Sequence, residues 1–180
     1  MTTKSKTPKQ QIDTVVIRFA GDSGDGMQLT GNQFSENTAI FGNDLTTLPD
    51  FPAEIRAPAG SLFGVSSFQI KFSKDEVHTP GDDPDVLVAM NPAGLKVHLQ
   101  DLKKQGMLII NTANFTAKNL KLAEWEQNPL EDDTLNEYRV IKVDMNKMVF
   151  NALDDMGLSS KIMARSTNMF ALGLLYWLYD

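Results

Sequence analysis

The segment Gly21 to Gly26 reads GDSGDG, three glycines and two aspartates around Ser23. Glycines spaced in this way let the backbone adopt positive φ and approach a ligand closely. A helix that follows them offers free N–H groups and the positive end of its dipole, which is the architecture of a phosphate loop. The spacing G-x-x-G-x-G is not the dinucleotide fingerprint G-x-G-x-x-G, and the Lys-Ser/Thr pair of a P-loop is missing. Asp22 and Asp25 oppose an anion by Coulomb repulsion unless a lysine or arginine compensates. A tight turn whose aspartates cap the next helix explains the same residues without a ligand. On these residues alone both readings stand.

Other candidates are weaker. Arg56, in a Pro-rich stretch close to the same edge, is the best-placed anion-binding side chain, although exposed arginines are common. His78 and His98 have no second ligand at metal spacing and read as surface histidines. Asp82, Asp83 and Asp85, set between Gly81 and Val86, read as an exposed turn before a strand. The chain contains no cysteine, which excludes disulfides, thiol catalysis and a cysteine-held iron–sulfur cluster within it.

The elements that must position these residues alternate between short β-branched runs and helical stretches, the pattern of strand–helix–strand units. A first strand over Thr14 to Ala20 runs into the glycine turn and then into a helix from Met27 to Phe41, with Met27, Thr30, Phe34, Thr38 and Phe41 on its buried face. Gly31 inside that helix points to close packing on the sheet. Leu45 to Pro49 reads as a second strand and residues 50–64 as an irregular loop with room for function.

Further strands are expected at Val65 to Ser73, Val86 to Met90, Met107 to Asn111 and Val140 to Asp144. Asn91 and Pro92 supply a cap and first-turn proline for a helix to Gln105, and Met145 to Met156 forms another, closed by Gly157. Glu124 to Glu137 carries six acids and no base and reads as a solvated connection. The expected fold is α/β, a single Rossmann-like domain with a mainly parallel sheet, right-handed crossovers and helices on both faces.

The net charge of −6 disfavours nucleic acid as a partner, and no apolar run is long enough for a membrane helix. Residues 1–11 carry Lys4, Lys6 and Lys9 and no acid, and they read as a disordered basic tail ahead of a domain over residues 12–180. They lack the apolar stretch of a secretory signal, so a cytoplasmic protein is expected. The last segment, STNMFALGLLYWLYD, is apolar nearly all round. Such a helix needs cover on its outer side, so the isolated chain is expected to self-associate through it. It also reaches the final residue without a glycine stop, so the chain is expected to be part of a longer polypeptide.

Four stretches together resemble one family: VVIRFAGDSGDGMQLTG, PAEIRAPAGSLFGVSSFQIKFS, DPDVLVAMNP and STNMFALGLL. Across Thr14 to Tyr179 the chain is similar to the gamma domain of 2-oxoacid:ferredoxin oxidoreductases, above all to the gamma domain at the start of the 2-oxoglutarate oxidoreductase alpha subunit. It departs from the family at Ser23 and Asp25, where G-x-G-G-Q-G is frequent, and it lacks a Gly-Gly pair before Val65. The resemblance implies an enzyme that decarboxylates a 2-oxoacid with thiamine diphosphate, passes electrons through an iron–sulfur cluster to ferredoxin and releases an acyl-coenzyme A. It also implies partners, the remaining alpha region and a beta subunit, and no cofactor bound by this chain alone. Gly21, Asp22, Ser23, Gly24, Asp25 and Gly26 would then form a ligand-facing turn, with Arg56, Ser66 and Ser67 as further contacts, binding rather than bond-making. A free-standing nucleotide-binding oxidoreductase domain and a non-catalytic interaction module are the alternatives.

Overall fold

The computed structural model describes residues 12–54 and 56–179. The basic tail expected over residues 1–11 lies outside them. Six strands, β1 (Thr14–Asp22), β2 (Asp44–Asp50), β3 (Val65–Ser73), β4 (Val86–Ala89), β5 (Met107–Asn111) and β6 (Arg139–Val143), form one sheet in the order β2-β3-β1-β4-β5-β6. β1, β4, β5 and β6 are mutually parallel. β3 runs against both β1 and β2 and is the one reversed strand, so the sheet is mainly parallel, as expected.

Alternation along the inner strands sends side chains to two cores. Val15, Ile17, Phe19, Phe68, Ile70 and Val88 face one side, where helices α1 (Met27–Ile40), α4 (Met145–Leu153) and α6 (Thr167–Leu178) cover them through Phe34, Met145 and Leu175. Ala20, Leu87, Ala89, Leu108 and Ile110 face the other, under Leu95 of α2 (Pro92–His98) and Leu99 of the turn that follows it. In β3, Val65 to Ile70 are all buried. It lies between β1 and β2 with α1 above one face and α2 below the other, so both of its faces are interior.

The first helix begins at Met27 as the periodicity predicts, and Gly31 does pack on the sheet: a Cβ there would overlap the Phe68 ring, with Cε1 2.7 Å away. Phe41 departs from the prediction. The helix ends at Ile40, and Phe41 is 81 % exposed at the rim of an aromatic groove. The second helix also stops early, at His98 rather than Gln105, with one 3-10 turn after it. Leaving the helix lets Lys103 N–H reach the Pro84 carbonyl (3.1 Å) and Gln105 N–H the Glu137 carbonyl (3.0 Å), which ties the segment to the residues leading into β4 and β6.

Two short helices went unforeseen, α3 (Ala117–Leu122) and α5 (Ser160–Arg165). The final helix is covered inward at Ala171, Leu172 and Leu175, and Tyr176 stacks on Phe34 at 5.5 Å. Neighbouring α1 and α4 supply part of the outer cover, while Trp177 remains 76 % exposed.

His98 corrects the surface reading. It is 6 % exposed, its Nδ1 lies 3.0 Å from an Arg18 guanidinium nitrogen, and Arg18 also pairs with Asp101 and donates to Gln69 Oε1 at 2.9 Å. Burial, with the Arg18 charge beside it, lowers the His98 pKa, so the ring is held neutral. Asp85 is likewise tied in: its carboxylate accepts from Val16 N–H (2.9 Å) and Lys103 Nζ (2.7 Å).

Candidate functional site

β1 carries the chain to the carboxyl edge of the sheet, and Asp22 to Gly26 turn there before α1 begins. The edge lies between β1, whose following helix leads outward to β2, and β4, whose connection leads the other way. Such a switch in strand order opens a crevice at the strands' carboxyl ends. α2 packs directly beneath: a Cβ at Gly94 would meet the Ala20 carbonyl oxygen at 2.9 Å.

The two aspartates do not cap α1, which has no side-chain cap. Asp22 turns away and accepts from Gly60 N–H with both carboxylate oxygens (2.9 and 3.0 Å), pinning the irregular loop to the turn. Burial raises its pKa, partly offset by that hydrogen bond. Asp25 folds back to accept from Asp22 N–H (2.8 Å) and Asn91 Nδ2 (3.2 Å). Asn91 serves both sides, because its Oδ1 caps α2 by accepting from Gly94 N–H at 2.8 Å. Gly26 adopts φ 75°, and a Cβ there would lie 2.5 Å from Asn168 Nδ2, so this position requires glycine on both counts.

Burial pushes the Asp25 carboxyl up to about 6. Its folded pKa lies above the unfolded value of 3.8, so the native state binds the proton more tightly. The penalty for a desolvated charge is therefore full above pH 6, shrinks as pH falls and is gone below about 4. Asp25→Asn, which keeps an acceptor for Asp22 N–H, is expected to gain about 1–2 kcal/mol over the parent at pH 8, after allowance for partial exposure. It should gain nothing at pH 4. Urea unfolding of both proteins at pH 4, 6 and 8 measures the difference, and a gain independent of pH would refute it.

Beside the turn lies a polar cavity of about 330 Å³, whose walls include Gly24, Asp25, Asn146, Lys161, Arg165 and Asn168. Of the residues singled out in the sequence, Gly24 and Asp25 line it. Gly21 and Asp22, expected in the turn, form the last residues of β1, paired with Ser66 and Val65, and Ser23 and Gly26 complete the turn. Ser66 and Ser67 sit opposite Gly21 and Ala20 in the sheet, but both are buried. The Ser66 hydroxyl donates to the Asp50 carbonyl and accepts from Gln28 Nε2, while Gln28 also donates to the Ser67 carbonyl at 2.9 Å. They lock β3 to α1. Arg56 is exposed in the loop and does not line the cavity.

Sequence reasoning missed Lys161, Arg165, Asn146 and Asn168. The available signal was the i, i+4 spacing of the two bases, which shares a face only once residues 160–165 are read as a helix. Among the described residues there is no group of three or more acidic, histidine or cysteine side chains placed to hold a metal.

A family model described as Pyruvate ferredoxin/flavodoxin oxidoreductase matches residues 16–180. The 2-oxoglutarate oxidoreductase subunit KorA of Mycobacterium tuberculosis is 54 % identical over 171 residues, 95 % of this chain. The chain spans 26 % of that protein's length. Among solved structures, 2-oxoglutarate:ferredoxin oxidoreductase from Magnetococcus marinus aligns over 91 % of this chain and 24 % of its own, with TM-score 0.65 and 22 % identity. The gamma subunit of a keto/oxoacid ferredoxin oxidoreductase from Geobacter sulfurreducens aligns over 89 % of this chain and 75 % of its own, with TM-score 0.59 and 20 % identity. These two likenesses establish the fold.

Proposed function

The chain belongs to the pyruvate ferredoxin/flavodoxin oxidoreductase family, and on that premise we propose that it forms the gamma domain of a 2-oxoacid:ferredoxin oxidoreductase, with 2-oxoglutarate the favoured substrate. The observation that carries this reading is the 54 % identity, over nearly the whole chain, to a 2-oxoglutarate oxidoreductase subunit. In the complete enzyme thiamine diphosphate supplies the carbanion chemistry and an iron–sulfur cluster the electron path to ferredoxin. A chain without cysteine does not fit the cluster, so we assign both groups to the remaining alpha region and the beta subunit.

The domain's own share is support and binding. Coenzyme A is the ligand we assign to its Gly21–Gly26 edge, with Arg56 in the loop that Asp22 anchors. Its phosphates suit the free N–H groups of a helix start. We assign the aromatic groove beside Trp177, lined also by Phe34, Phe41, Phe72, Tyr176 and Tyr179, to contact with the rest of the enzyme, since the chain spans about a quarter of its relative. In isolation the same surface would drive self-association. No described helix is long and apolar enough to cross a membrane.

The chain alone, supplied with 2-oxoglutarate, thiamine diphosphate, coenzyme A and ferredoxin, is expected to show no ferredoxin reduction. Co-expressed with the thiamine-binding region and beta subunit of a family enzyme, it is expected to co-purify with them and turnover to appear. Turnover by the chain alone, or failure to assemble, would overturn the reading.

A further inference from the structure

The helices α1, α2 and α6 each hold a glycine in their interior, where glycine is among the least favourable residues. Two of the three are accounted for inside the domain. A Cβ at Gly31 would overlap the Phe68 ring, and one at Gly94 would meet the Ala20 carbonyl oxygen at 2.9 Å. Gly173 of α6 is different. It is exposed, its φ lies outside the left-handed region, and a Cβ there would meet no described atom beyond its own helix within 4 Å. Nothing among the described residues requires the smallest side chain at this place.

Gly173 sits midway along a bare apolar stripe. Met169 stands one turn before it and Trp177 one turn after, 38 % and 76 % exposed, so the three share one outward face. Two bulky side chains about 12 Å apart along the axis, with a gap between them, form a notch in which a second helix settles at short interaxial distance. The stripe continues into the aromatic groove, which Trp177 shares with the exposed Phe41. From Thr167 to Leu178 there is no charged residue, in a chain of net charge −6. A charged partner finds nothing to pair with here, whereas an apolar one buries surface that water solvates poorly.

We propose that in the complete enzyme α6 is crossed at Gly173 by an uncharged, apolar helix from the polypeptide outside this chain, a cover that rests on the proposed function and specifies it. The source follows from length: the chain spans 26 % of the related 2-oxoglutarate oxidoreductase subunit, which leaves about three quarters of such a polypeptide to supply the helix. Gly173 lets the two backbones approach, and Met169 and Trp177 close on either side of the crossing. A larger side chain at residue 173 holds the helices apart and forfeits those contacts.

The test sets assembly against the stability of the domain itself. In the complex formed with the thiamine-binding region and beta subunit of a family enzyme, Gly173→Leu is expected to weaken association about tenfold or more, and Gly173→Ala less, by sedimentation over a dilution series. Both substitutions place a better helix former where no described atom stands in the way. The melting temperature of the 180-residue chain is therefore expected to stay level with the parent or rise by a few degrees. The chain has no cysteine, so Met169→Cys, one turn from the crossing, reports cover directly: maleimide labelling is expected to slow about tenfold or more in the complex relative to the dilute chain alone. With the parent assembling, three results would each overturn the crossing and leave the proposed function standing: Gly173→Leu assembling equally well, Gly173→Leu melting several degrees below the parent, or Met169→Cys labelled as fast in the complex as alone. Protection that grows with the concentration of the chain alone, and is not increased by the other regions, would seat a second copy on α6 and overturn the assignment. Failure of the parent itself to assemble overturns the proposed function and this cover with it.

Discussion

Gly31→Val is expected to unfold the domain or destabilise it by about 3 kcal/mol or more. The site of overlap is the face of Phe68, a ring 2 % exposed in β3 with Ile70 beside it and α1 pressed onto it. Even Gly31→Ala should lose about 1–3 kcal/mol, although alanine in a helix interior is ordinarily favoured over glycine by about 1 kcal/mol. The reversal of that sign is the diagnostic result. Phe68→Leu removes the ring and should recover part of the loss in the Gly31→Ala background, a positive coupling readable from urea unfolding in a double-mutant cycle. A neutral or stabilising Gly31→Ala would show that helix and sheet are further apart than described.

Arg18→Met should cost about 2–4 kcal/mol. Arg18 has 11 % of its side chain exposed and is the hub of a buried polar cluster: Gln69 Oε1 and His98 Nδ1 accept from it, and it pairs with Asp101. Removing it orphans a glutamine that is 1 % exposed and a histidine that is 6 % exposed, while half-exposed Asp101 can turn to water, which keeps the loss below that of a fully buried pair. Arg18→Lys should rescue little, because one ammonium cannot reproduce the planar fork that serves three partners. The cluster also sets a direction with pH. The folded His98 pKa lies below the ordinary 6.5, so stability is fully present above that value and falls as the unfolded chain takes up a proton that the native ring refuses. Thermal unfolding between pH 5 and 8 would show this slope, and a slope of opposite sign would contradict the described burial.

These two positions show what the sequence carries and what it withholds. Gly31 was legible, because a glycine inside a strongly periodic helix has few explanations other than close approach, and short β-branched runs between helical stretches placed the strands. Arg18 and His98 were not legible. An arginine inside TVVIRFA and a histidine in a helix gain their meaning only when β1 and α2 bring residues 80 apart to 3.0 Å. The candidate site divided in the same way. The glycine turn is a local pattern and stands where it was placed, at the end of β1. Lys161, Arg165 and Asn168 join it across more than 130 residues, by tertiary packing that no local periodicity encodes.

The position of β1 in the sheet also bears on how the chain is made. It is synthesised before both of its partners, yet it is an inner strand: one edge pairs with residues 65–73 and the other with residues 86–89. Until β3 has emerged, the run TVVIRFA has both edges open, and one of them stays open until β4 follows. At about 5–20 residues per second that interval is on the order of several seconds. An apolar, β-branched stretch with unpaired edges is the kind that associates between chains. The nascent protein therefore passes through a window of aggregation hazard before its own central strand is shielded, and chaperone cover during synthesis would act on this segment first.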